Sequence, residues 1–393
     1  MEILGGFDFS LIEIILSGVL IIAFVYQLFY HFRIQNIAYQ QKRKKEKSEI
    51  SFNKEAVPVS VVICAKDDTD NLREFLPLFL TQEYSEFEVI VVNDGGNEDT
   101  EDLIREMKKS YPNLKSTFVP AGTTNLSTKK LALTLGIKAA KYDWILLSDA
   151  DCYPQSSQWL ATMSRNFVSG VEFVLGYSPY ITQKSFLNRL ITYDTLFIGM
   201  QYLGYSKHLS PYMGVGRNMA YRKDVFFRNK GFATNLHLRS GDDDLMVNYA
   251  AHKFNTRIET SPDSVIWSIP EKKYMHWYFQ KERHLSVSTF YKSSSKMMLF
   301  VEPFLRGLFY LSFIGLAVFA ILSQHWLLVA LAGILFLTRW IVQLFITNRA
   351  SKYYKGRKYF LTLLLFDIYL PLLNAWIMTF GRMGSKAKNI SWK

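Results

Sequence analysis

The sequence predicts an α/β protein: a parallel-rich central sheet with helices on both faces, joined at both ends to α-helical transmembrane segments. Three observations predict it. Between residues 55 and 272, short β-rich runs alternate with stretches of helical length, the pattern of strand–helix crossovers. Outside that stretch lie long uncharged apolar runs. The mean hydropathy, +0.03, is therefore an average of two unlike parts.

In chain order, Ile14 to Tyr30 is the first apolar run. Its leader is acidic (Glu2, Asp8, Glu13) and no small-residue cleavage site follows, so residues 1–32 read as a signal anchor rather than a removed signal peptide. Arg33, Lys42, Arg43, Lys44, Lys45 and Lys47 lie in the linker of residues 33–54, which places the following domain in the cytosol by the positive-inside rule. The 32 residues from Gly307 to Thr338 hold no Asp, Glu, Lys or Arg. One helix of that length would be about 48 Å long, against a hydrocarbon core of about 30 Å. The run is therefore split at Ser323-Gln324-His325 into spans 301–323 and 325–347. The loop carrying Lys352, Lys355 and Arg357 is again basic. A last apolar stretch, 359–381, is interrupted by Asp367, Pro371 and Asn374, and a basic tail, 382–393, follows. A simple fourth span would put that tail outside, against its charge; the segment is transmembrane or re-entrant.

The domain between, residues 55–272, reads as strands at Val57–Cys64, Phe87–Val92, Leu114–Val119, Trp144–Ser148 and Val171–Tyr177. Helices are expected over Asn71–Leu80, Thr100–Lys109, Thr128–Ala140 and Ser157–Val168. Ligands of such sheets bind beyond the carboxyl ends of the strands. Asp67 and Asp68 follow the first strand, Asp94 the second, and Asp149 with Asp151 the fourth. One such residue is ordinary loop solvation, but three strand ends gathering acid in a basic protein suggest a divalent cation or a polar ligand. In the run from Trp144 to Pro154, Asp149 and Asp151 sit two apart around the small Ala150, so both can reach one hard cation such as Mg²⁺ or Mn²⁺.

These motifs resemble family-2 glycosyltransferases, which implies a GT-A nucleotide-sugar-binding domain. Val59 to Asp68 is similar to the family's first strand and acidic turn, with Asp68 where Glu is usual; Val91-Val-Asn-Asp94-Gly-Gly matches its next turn, with Asn93 replacing an Asp. The stretch from Ser127 resembles the family's Gly-Lys helix, with Thr128 in place of Gly and Lys129 facing the nucleotide. Asp149 and Asp151 match the metal-binding pair. Gly214 to Tyr221 is similar to the loop under the donor sugar; a dinucleotide fingerprint there is discounted, because no strand precedes it. The resemblance thus implies donor contacts from Ala65, Asp68, Asp94, Lys129, Asp149, Gly216, Arg217 and Asn218. Gly241 to Leu245 resembles the motif carrying the general base, which favours Asp243 with Asp242 as partner and leaves Asp244 open. Gln280-Lys-Glu-Arg283-His284 resembles the membrane enzymes' QxxRW motif, with His284 replacing Trp, a change that argues against processive polymerisation. Around it, Tyr274, His276, Trp277, Tyr278 and Phe279 suggest an amphipathic interfacial helix within 273–300.

The function implied is inverting, metal-dependent transfer of a sugar from a nucleotide-diphosphate sugar, with UDP favoured, to a lipid or lipid-linked hydroxyl at a bacterial inner membrane. Asp243 would act as base, and Arg283 would add charge at the departing diphosphate. A processive synthase and a non-catalytic nucleotide-sugar-binding subunit are the alternatives. The formal charge of +12 lies largely beside the apolar runs and matches no DNA- or RNA-binding motif, so no nucleic-acid partner is expected. Cys64 and Cys152 read as small hydrophobic residues, which sets aside a disulfide scaffold. Arg339 and Asp367, each about 12 Å into its span, are expected to pair and brace the bundle; an acceptor-phosphate site at Arg339 is the second reading.

Overall fold

A computed structural model describes residues 9–94, 98–120, 128–236, 238 and 240–381. Nine strands are present among them: β1 Val59–Ala65, β2 Phe87–Asn93, β3 Leu114–Phe118, β4 Trp144–Asp149, β5 Cys152–Pro154, β6 Phe173–Leu175, β7 Met219–Arg222, β8 Thr256–Ile258 and β9 Ile266–Ser268. Seven form one sheet in the order β3-β2-β1-β4-β7-β6-β8, and β5 pairs with β9 in a small second sheet. The β3-β2-β1-β4 half is parallel, while β7 runs antiparallel to both β4 and β6. The five expected strands and four expected helices are all found, with ends shifted by a few residues; the helix expected over Ser157–Val168 shortens to Trp159–Ser164.

Strand β1 is buried along its whole length, as a central parallel strand must be. Its side chains alternate between two cores: Val62 and Cys64 face one, Val59, Val61 and Ile63 the other. Helix Thr128–Ala139 lies so close to the sheet that a Cβ on Gly136 would come within 2.5 Å of Val62 and 2.8 Å of Val92. The first turn of the helix stands beside the strand ends, where Lys129 reaches Asp149 at 3.1 Å.

Two long elements link this domain to the apolar helices. Helix Phe186–His208, which the β-strand and motif pattern did not reveal, is mostly buried, and Lys281 of helix Tyr274–Val287 reaches Asp194 on it at 2.7 Å. Among the described residues, four helices are long and apolar enough to cross a membrane: Leu11–Gln35, Ser293–Leu322, Trp326–Tyr353 and Leu361–Phe380. The first starts as a capping box, Ser10 with Glu13, and then passes through a π-helical turn at His31–Gln35. Glu13 also accepts from His325 at 2.7 Å, closing the far end of the bundle onto the turn between the second and third helices.

Arg339 and Asp367 pair at 2.8 Å, both 1% exposed. The pair is part of a larger set than expected. Asp367 also takes Arg306 at 3.0 Å, Tyr310 at 2.6 Å and the Gln343 amide at 2.8 Å, while Arg306 bonds Glu302. The Arg339 guanidinium is further occupied by Gln27 at 2.8 Å and Tyr310 at 3.2 Å. Two cations and two carboxylates therefore balance, which leaves Arg339 paired inside the bundle rather than offered to a phosphate.

Candidate active site

Because β1, β2 and β4 are parallel, their carboxyl ends lie at one edge of the sheet. The residues after them gather there. The Asp94 N–H donates to the Ala65 carbonyl at 2.8 Å, and Lys66 stands 4.0 Å from the Asp94 carboxylate. Asp68 accepts from Asn71 at 3.1 Å. Lys129 reaches across to Asp149 at 3.1 Å and to Asp242 at 3.6 Å, joining the fourth strand end to the acidic triplet.

The triplet is held by its surroundings. Gly241 has φ +85°, and a Cβ there would sit 2.8 Å from Val287, so glycine sets the turn. Asp243 caps helix Asp244–Ala250: one carboxylate oxygen accepts the Asp244 N–H at 2.8 Å, the other the Gly216 N–H at 2.7 Å. Asp244 is buried and accepts from the Tyr291 hydroxyl at 2.8 Å. Asp243 alone of the three is more than marginally open to the cleft. Burial pushes all three carboxyls up, and the balance differs for each. Lys129, with help from Lys130 and Arg283, holds Asp242 below its ordinary value. Asp243, under burial and the negative charge of Asp242, rises to about 6 despite Lys129. Burial and the charge of Asp243 hold Asp244 well above the usual range.

Asp149, Asp151 and Cys152 bring potential ligand atoms within 4.8 Å of one another. Two carboxylate oxygens are the donors that Mg²⁺ or Mn²⁺ prefer. Burial and the charge of Asp151 push the Cys152 thiol well up, and it donates to Asp151 at 3.2 Å. Burial and Asp149 raise Asp151 to about 6. A pair of carboxylates that repel each other across a cleft edge fits a divalent cation.

One cavity of about 1510 Å³ receives Asp68, Lys129, Asp149, Asp151, Gly216, Arg217, Asp242, Asp243 and Asp244 from the domain and Gln280, Arg283 and His284 from helix Tyr274–Val287. Burial first, then the charges of Arg283 and Arg217, lower His284 to about 3, so its imidazole is neutral at physiological pH. Arg217 donates to Ser178 at 2.7 Å and lies over the Tyr180 ring, 4.7 Å from its centroid. Ala65, Asp94 and Asn218 are not on the cavity wall. Asn218 is buried with its amide spent on the Tyr177 and Ser264 carbonyls at 2.7 and 2.8 Å and on Trp159, so it braces the Gly214–Asn218 loop from behind. Gly95, Gly96 and the residues from 121 to Ser127, parts of two matched motifs, lie outside the described residues.

Sequence reasoning missed Lys130. Successive helix residues point about 100° apart, so when Lys129 faces the cleft its neighbour faces elsewhere. Lys130 is fully buried and donates to the carbonyls of Asn235, Leu238 and Ser240 at 2.6, 2.9 and 2.9 Å, anchoring the segment that leads into Gly241. Burial lowers it to about 8, against the pull of Asp242 and Asp243.

A parallel-rich sheet that collects carboxylates, a paired lysine and a cation-competent aspartate pair at one edge has the architecture of a GT-A nucleotide-sugar-binding domain. Residues 60–227 match the model of Glycosyl transferase family 2, and the chain carries a domain of that family of enzymes. It is 31% identical over 94 residues to a poly-beta-1,6-N-acetyl-D-glucosamine synthase of Staphylococcus epidermidis, a match covering 24% of this chain and only 21% of that protein. Over 350 residues it is 23% identical to the probable glycosyltransferase YdaM of Bacillus subtilis, covering 83% and 81% of the two chains. Among solved structures, the mannosyltransferase PcManGT from Pyrobaculum calidifontis, in complex with GDP-Man and Mn²⁺, has 18% identity and a TM-score of 0.46, covering 86% of this chain and 99% of that one.

Proposed function

We propose that this protein transfers a sugar from a nucleotide-diphosphate sugar, with inversion, to a hydroxyl on a lipid or lipid-linked acceptor at a membrane. One observation carries the reading: the cavity that holds Asp149 and Asp243 continues without a break to Tyr310, Leu311 and Ile314 of the second apolar helix and Ile368, Leu372 and Met378 of the fourth. A polar donor can be held at the acidic end while an amphiphilic acceptor arrives along the apolar end.

Asp243 takes the acceptor proton, from a position fixed by the Gly216 N–H. Its raised pKa suits that role, since a base poised near neutrality is most effective. Asp242, kept ionised by Lys129, orients the lysine rather than accepting the proton. Lys129 and Arg283 hold positive charge beside the cleft, where the diphosphate gathers negative charge as it leaves. A divalent cation held by Asp149 and Asp151 would supply further charge neutralisation on the diphosphate. The donor to try first is UDP-N-acetylglucosamine, because the synthase relative is named for that sugar. A processive synthase is the second reading, favoured by the same relative's name.

A donor screen tests the proposal. Purified protein in detergent with Mn²⁺ should release nucleoside diphosphate from one nucleotide sugar, faster when membrane lipids are supplied, and yield a product with a single added sugar. Release from none of the donors would overturn the reading; a ladder of long products would replace it with the second one.

A further inference from the structure

We propose that helix Leu361–Phe380, although long and apolar enough to span, does not cross the bilayer: it lies in the leaflet on the catalytic side, beside helix Tyr274–Val287, and the described residues cross three times. The first observation is which core it joins. Leu363, Phe366, Leu370, Leu373 and Ile377 belong to the core shared with the sheet and with helix Phe186–His208. The core of the bundle's far half is built from Leu20, Ala23, Phe309, Leu316, Ala320, Leu328 and Ala332, all from the other three helices. A fourth spanning helix would share that core.

The second observation is its direction. Near its start, Tyr359 is held by Asn348 at 2.8 Å and its hydroxyl by Thr192 at 3.0 Å, on the catalytic domain's side. Further on, the Tyr369 hydroxyl meets that of Tyr274 at 2.5 Å. At its end, a Cβ on Gly381 would lie 2.9 Å from the Glu282 carboxylate. Contacts therefore advance along both helices in the same direction, from Tyr274 to Glu282 and from Tyr369 to Gly381. Glu282 precedes Arg283, whose charge acts on Asp242. The helix thus ends where the catalytic cleft begins, not a bilayer's width away.

Depth agrees. Asp367 is the one point where this helix is tied by ion pairs to the bundle, through Arg306 and Arg339. Arg306 lies 16 residues before Leu322, about 24 Å of helix from the far end, so within a core of about 30 Å the tie is near the catalytic face. The outer face of the helix, with Leu361, Leu365, Leu372 and Trp376 more than half exposed, continues the lipid-facing surface of Phe300 and Leu311. The near leaflet of the bilayer is the occupant that continuity selects. The sequence that follows is basic (Arg382, Lys386, Lys388, Lys393), as the positive-inside rule favours on the side of the other basic loops. Residues of this helix and of Ser293–Leu322, among them Ile368, Leu372, Leu311 and Ile314, line the cavity together.

The test is independent of any activity. Single cysteines are placed at Glu55 (catalytic domain), Ser323 (turn between the second and third helices) and Ser385 (tail) in the full chain, and labelled with a membrane-impermeant maleimide in sealed vesicles of known orientation. Cys64 and Cys152 are buried, and the unsubstituted chain gives the background. Glu55→Cys and Ser385→Cys should label from one side and Ser323→Cys from the other. Labelling of Ser385→Cys from the side of Ser323→Cys would overturn the proposal. A C-terminal epitope digested by protease in the same vesicles gives the same discrimination without the tail cysteine.

Discussion

The Asp243 carboxylate accepts the Gly216 backbone N–H at 2.7 Å, so the acidic turn and the Gly214–Asn218 loop are fastened to each other across the cleft. Asp243 has Asp242 as its sequence neighbour, and that carboxylate is held ionised by Lys129. The two adjacent acids thus have pKa values driven apart, Asp242 held down by Lys129 and Asp243 raised to about 6 by burial and by Asp242.

A pH profile reads this directly. A base must be deprotonated to act, so turnover should fall as pH drops below about 6, with the lost activity following protonation of Asp243. Asp242→Asn removes the neighbouring negative charge that raises Asp243, so the acid limb should move to lower pH. A limb that stays in place would show that another group titrates.

Removal of the cation is the second prediction. A chelator should abolish turnover, and Mn²⁺ or Mg²⁺ should restore it. Asp149→Ala and Asp151→Ala should each lose metal binding measured by calorimetry, while Cys152→Ser, which keeps a donor to Asp151, should retain it.

Lys130 should matter through the loop it holds. Lys130→Met strands three backbone carbonyls, each costing about 1–3 kcal/mol if it stays buried. Misplacement of the following acidic turn should lower kcat by about 10²-fold with donor affinity less affected. Thermal unfolding and steady-state kinetics, compared with Lys130→Arg, separate loss of fold from loss of positioning.

Within the bundle of apolar helices, Asp367→Asn leaves Arg306 and Arg339 without their shared carboxylate, and should cost about 3–5 kcal/mol, seen as a lower Tm in detergent. Exchanging charges as Arg339→Asp with Asp367→Arg should not restore stability, because the cation introduced at 367 would face Arg306. Full rescue would mean that Arg339 and Asp367 act as an isolated pair.

Much of this was legible in the sequence, for physical reasons. The parallel half of the sheet announced itself because buried parallel strands are nearly continuous apolar runs, as Val59 to Ala65 shows. Strands β5 to β9 are only three or four residues each, too short for periodicity, and of these β5, β7, β8 and β9 were not anticipated. The carboxylates of Asp149, Asp151 and Asp243 could be placed because strand ends and a glycine turn fix them locally. Asn218 could not, because its burial is decided by Trp159, Tyr177 and Ser264, distant in sequence. Arg306 and Glu302 escaped notice because they sit just before the uncharged run that marked the span, and only packing brings them to Asp367.

If Asp243 is the base of a nucleotide-sugar transfer, removing its charge must slow turnover and leave donor binding in place. Nucleoside diphosphate release by purified wild type and Asp243→Asn, measured beside donor binding by calorimetry, tests it most directly. Turnover should fall by about 10²- to 10⁴-fold with donor binding retained. Undiminished turnover in Asp243→Asn would show that another group takes the acceptor proton.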